Sequence, residues 1–158
     1  MTERFNRAVV KLYTAFHEGT LDAMDCKHCA VGNLCDNQDS WASKSFGVIF
    51  GDYNRVPKSY KFHNPSRYSN RELVEIECIF IYGSLDRKNP IFSNIISNNY
   101  VKWGVYTKKE QKELQFKGLC AVIEHLAKLD GIPNPFNFDS LFSDDKEVAE
   151  KEISLILC

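Results

Sequence analysis

Cys26, His28, Cys29 and Cys35 fall within ten residues, in the stretch Asp-Cys-Lys-His-Cys-Ala-Val-Gly-Asn-Leu-Cys (25–35). Thiolates bind soft and borderline metals, and a pair of them can also cycle with a disulfide. Two Cys separated by two residues aim both sulfurs at one point, which is half of a zinc or iron–sulfur site. A tetrahedral ion needs two more donors. The chain has no second Cys-x-x-Cys and no closely spaced His pair, so this is not a zinc-finger pattern. The candidates to complete a site are His17, His28, Cys35, His63, Glu77 and Cys120.

Geometry sorts these candidates. If the segment after Cys26 is helical, Cys35 stands about half a turn away from it and points elsewhere. His28 lies between the two Cys and has no reason to face the same point. His17 ends a predicted helix close by in sequence. Glu77 stands between Ile76 and Cys78 on a predicted helix, where a carboxylate near an apolar face needs a partner such as a metal or an Arg. The expectation is a zinc or iron site on Cys26 and Cys29, completed by His17, Glu77 or Cys120. Two other readings stay open. The pair could be a redox dithiol serving an electron-transfer partner, or the Cys could be packing groups in a protein-interaction module. If a helix starts near Cys26, its free N–H groups would favour the thiolate. Cys78 and Cys120 also read as small core residues, and Cys158 as an incidental terminal one.

The elements that must position these groups are mostly helical. Phe5, Val9, Leu12, Tyr13 and Phe16 recur at helical spacing, which predicts a helix over 3–18 with Thr2 as N-cap and Gly19 as stop. Residues 26–37 are expected to form a short helix, weakened by Gly32 and Asn33. An irregular stretch follows at about 44–68, with a short extended piece expected at Val48–Tyr53. Ser69 with Glu72, and Thr107 with Glu110, are capping boxes opening two longer helices. The first ends at Gly83, the second at Gly131 and Pro133. Residues 144–157 are helical by pattern. The fold class expected is mainly α: one compact domain over 1–158, with four or five helices and a long irregular segment.

Charge and composition remove some functions. Lys plus Arg number 20 and Asp plus Glu 21, so the net charge of -1 gives no general attraction to nucleic acid or to an acidic membrane. No apolar run approaches the ~20 residues of a membrane span. The start of the chain lacks the apolar core of a secretion signal, so a cytoplasmic protein with reduced thiols is expected. Nucleotide-binding glycine loops, the Gly-x-Ser-x-Gly elbow and His-Glu-x-x-His are all absent.

Several stretches together resemble a family of small bacterial proteins of undetermined activity. They are Ala-Phe-His-Glu-Gly-Thr-Leu (15–21), Cys-x-x-Cys-Ala-Val-Gly-Asn (26–33), and Asp36-Asn37 with Trp41. Further on come Tyr68-Ser69, Glu72-Leu73 and Ile76-Glu77. The last are Gly-Leu-Cys-Ala-Val-Ile (118–123), Leu-Asp-Gly-Ile-Pro-Asn (129–134) and Leu141-Phe142. The likeness spans most of the chain and is weakest over 84–106. Members often carry the label of a Na+-translocating NADH-quinone reductase component. The component meant by that label joins a ferredoxin-type cluster, with Cys-x-x-x-x-Cys-x-x-Cys and a fourth Cys, to a flavin and NADH domain. This chain has neither that spacing nor the length. The resemblance therefore implies the Cys26/Cys29 pair, together with His17 and Glu77, and no ferredoxin, flavin or NADH chemistry.

Overall fold

A computed structural model describes residues 1–23, 25–41, 64–84, 107–133 and 136–157. The described residues are mainly helical and contain six helices. The expected extended piece at 48–53, most of the irregular stretch, His63 and Cys158 lie outside them.

Helix α1 spans Glu3–His17. The Thr2 side chain accepts the Phe5 N–H, as the sequence predicts, and the chain turns off at Gly19 with φ of 67°. Its buried stripe is Phe5, Ala8, Val9, Leu12, Ala15 and Phe16. Helix α2 covers only Ala30–Leu34, not the longer helix expected over 26–37. Cys29 is its N-cap, in extended backbone, so the turn before it is a separate element.

Helix α3 (Asn70–Ser84) opens on the Ser69/Glu72 capping box. The Ser69 hydroxyl accepts the Glu72 N–H at 3.2 Å, and the Glu72 carboxylate accepts the Ser69 N–H at 2.6 Å. Helix α4 (Lys108–Leu129) opens on the same device at Thr107 and Glu110. α3 and α4 form the most extensive helix pair. They approach closely because small residues face each other: a Cβ on Gly83 would sit 3.1 Å from the Ala121 Cβ and 3.2 Å from the Gly118 Cα.

Two further helices complete the set. α5 (Phe138–Leu141) is a single turn capped by Asn137. The sequence reading missed it because four residues carry no periodicity. α6 (Lys146–Leu157) packs on α5 and α1. The core joins the α1 stripe to Leu73, Ile76 and Phe80 of α3 and to Leu119, Val122, Ile123 and Leu126 of α4. A salt bridge between Arg4 and the buried Asp130 carboxylate, at 2.6 Å, pins the start of α1 to the end of α4. No helix among the described residues is long and apolar enough to cross a membrane.

Candidate functional site

The Cys-x-x-Cys segment is one closed turn. The Asp25 carbonyl accepts both the His28 N–H at 2.8 Å and the Cys29 N–H at 2.7 Å. Cys26 and Cys29 thus sit on one hydrogen-bonded turn. Cys26 is partly exposed, whereas Cys29 is 2% exposed; both are free thiols.

Each carbonyl of the turn is held from outside it. The Trp41 indole N–H donates to Cys26 O at 3.0 Å. The Asn37 amide donates to Lys27 O at 2.9 Å. The Asn33 amide donates to His28 O at 2.8 Å and to Cys29 O at 2.9 Å. Asp36 and Asn37 reach this arrangement through left-handed backbone, φ 56° and 58°, which these two residue types tolerate. α2 begins only at Ala30 because the N–H groups of Val31 and Gly32 go to Glu77 Oε2 and Cys29 Sγ rather than to carbonyls 27 and 28. The turn also lies directly on Gly32. A Cβ there would stand 2.3 Å from Cys26 O and 2.5 Å from Lys27 C.

Glu77 lies against this turn. It projects from the middle of α3, is 2% exposed, and its Oε2 accepts the Val31 N–H of α2 at 2.9 Å. The hydrogen-bond partner of this buried carboxylate is therefore a backbone N–H at the start of α2, not the Arg that the sequence suggested. The Cys29 sulfur accepts the Gly32 N–H at 3.3 Å. Its proton is donated to Cys26 O at 3.4 Å.

Burial dominates the electrostatics. It pushes the Glu77 carboxyl up to about 7, against the opposing pull of the Val31 N–H and the Cys29 thiol. Burial, then the Glu77 carboxylate, drives the Cys29 thiol well above the usual thiol range, and the Gly32 N–H recovers only part of this. The same two causes raise Cys26. The expectation that a helix start would favour the thiolate is therefore corrected: one donated N–H is outweighed by removal from water.

The other sequence candidates go elsewhere. His17 places Nε2 2.9 Å from Leu141 O and packs its ring against Tyr13 and Phe142. His28 turns outward to Asp25, Nδ1 to Oδ2 2.6 Å. Cys120 is half-buried, its thiol pushed up to about 12 by burial and by Asp139 and Glu124. Cys78 is core. Cys35 caps the C-terminal end of α2, fully buried, its thiol also pushed up to about 12, with Glu77 among its neighbours. Among the described residues, no group of three or more His, Cys, Asp or Glu side chains is arranged to hold a metal ion. Of His17, Glu77 and Cys120, the structure brings only Glu77 to the Cys pair.

Sequence reasoning missed the positioning residues Gly32, Asn33 and Asn37. The signal was present as two Asn within eight residues after the Cys-x-x-Cys, but it reads equally as turn chemistry. No protein-family model matches this chain, and no curated protein or solved structure shows significant similarity to it.

Proposed function

We propose that the protein exchanges thiols and disulfides through Cys26 and Cys29. One observation carries this reading: two free thiols share a single closed turn, one reachable from solvent and the other buried behind it. That asymmetry divides the labour. Cys26 attacks a partner disulfide and forms a mixed disulfide, releasing the first partner thiolate. Cys29 then attacks the Cys26 sulfur, closing the Cys26–Cys29 bond and releasing the second. Two electrons pass from the pair to the partner.

In the cytoplasmic setting expected from the sequence, the pair would rest as a dithiol until it met a disulfide on a protein partner. The family resemblance adds shared residues to this reading and no activity.

Zinc or iron on the pair is the competing reading. It draws on the same two sulfurs and would need donors beyond them. Elemental analysis of untagged protein separates the two: the exchange reading expects less than ~0.1 equivalent of either metal.

The exchange reading makes a direct chemical prediction. Treated with glutathione disulfide, the unmodified protein should end as an internal disulfide, lighter by two hydrogens. Cys29→Ser should stop at a glutathione adduct on Cys26, visible by intact-mass and peptide analysis. If Cys29→Ser collects no adduct at Cys26, or the unmodified chain keeps one, the reading is wrong.

A further inference from the structure

Resting on that reading, we propose that Asp25 and Asp39 set its specificity: Cys26 selects a cationic partner, a protein disulfide flanked by lysine or arginine side chains, over an anionic one. The clamp on the turn places both residues. Asn37 donates to Lys27 O at 2.9 Å and Trp41 donates to Cys26 O at 3.0 Å. The stretch between them therefore lies along the turn, with Asp39 in its middle. Asp25 opens the turn, and its carboxylate accepts the Lys27 N–H at 2.9 Å.

The charge around the reachable sulfur is acidic. Asp22 belongs to the same surface: it is exposed, and its N–H donates to His28 O at 2.9 Å. Against Asp22, Asp25 and Asp39 the turn itself sets one ammonium, Lys27. Lys11 of α1 is spent on Asp36, and His28 offsets Asp25 only when protonated. Asp39 is exposed, and its carboxylate enters no ion pair among the described residues. After burial, the groups that oppose a thiolate at Cys26 are Glu77, Asp25 and Asp39, all of them carboxylates.

Such a surround discriminates between partners by charge. An anionic disulfide meets the carboxylates and the attacking thiolate, all of like sign. A cationic one offsets both, which raises the encounter rate and favours the crowded sulfurs of the exchange. The chemical step is the same for either. Cys26 Sγ forms a bond to one sulfur of the partner, the partner's S–S bond breaks, and its second sulfur leaves as a thiolate.

The test uses the full chain and three small disulfides as probes: cystamine, which is cationic, hydroxyethyl disulfide, which is neutral, and dithiodipropionate, which is anionic. Acid quenching, alkylation and peptide mass give the initial rate at which Cys26 loses its free thiol. Each rate is divided by that of the same disulfide with mercaptoethanol, which removes differences between the leaving thiols. At low salt the corrected rate for cystamine should exceed that for dithiodipropionate ~10-fold, with the neutral probe between them. In ~0.5 M salt the three should converge. Asp39→Asn should narrow the cystamine-to-dithiodipropionate ratio ~3-fold. The ratio cancels any change in the thiolate fraction of Cys26, and the salt series needs no variant. Equal corrected rates at low salt, a faster anionic probe, or a ratio unmoved in Asp39→Asn overturns the specificity and leaves exchange standing. A Cys26 that none of the three probes consumes overturns both.

Discussion

Gly32→Ala is expected to destabilise the protein by ~3–5 kcal/mol, at the upper end of single substitutions. The added methyl has no flexible side chain to displace. It meets backbone at 2.3 Å and 2.5 Å, the Cys26 carbonyl and the Lys27 carbonyl group. Relief requires the whole turn to lift off α2. That would break the Trp41, Asn37 and Asn33 bonds, each worth ~1 kcal/mol. It would also move Cys29 away from the Gly32 N–H and Glu77. Urea unfolding should show the midpoint fall with little change in slope. A loss below ~1 kcal/mol would mean that the turn does not rest on Gly32.

The second large effect is a pH dependence owed to one carboxyl. Glu77 is raised from 4.5 to about 7 in the folded chain, so the native state binds its proton more tightly than the unfolded state does. The sign follows from linkage: the stabilisation is complete below about 4.5 and is lost as pH rises through about 7. Over that interval the single group should remove ~3 kcal/mol. The difference between the unmodified chain and Glu77→Gln isolates it from every other titrating group. Unfolding free energies of the two should diverge as pH rises, the unmodified chain losing stability relative to the variant. Parallel curves would show that Glu77 titrates as an ordinary exposed carboxyl.

The fold was largely legible where its signals are local. The Thr2 cap, the Ser69/Glu72 and Thr107/Glu110 boxes and the apolar stripe of α1 involve residues within a few positions of one another, and each forms as the sequence predicts. The turn at 26–29 was not legible in this way. Its carbonyls are held by Asn33, Asn37 and Trp41, and its sulfur meets a carboxylate 48 positions away on α3. Helix propensity over 26–37 therefore overreached. The charge state of Cys29 was misjudged for the same reason, since a neighbouring N–H is visible in a sequence and the depth of a sulfur is not. Glu77 was recognisable as a carboxylate in apolar company and was expected beside the Cys pair, but the Val31 N–H that it accepts was not foreseen.

The central claim is that Cys26 and Cys29 work as one two-electron couple. Its most direct test equilibrates the full chain in redox buffers poised between ~−270 and ~−180 mV, then alkylates free thiols and reads the mass at each cysteine. The expected result is joint protection of Cys26 and Cys29 in a single two-electron transition within that range. Both cysteines still fully alkylated at ~−180 mV would contradict it.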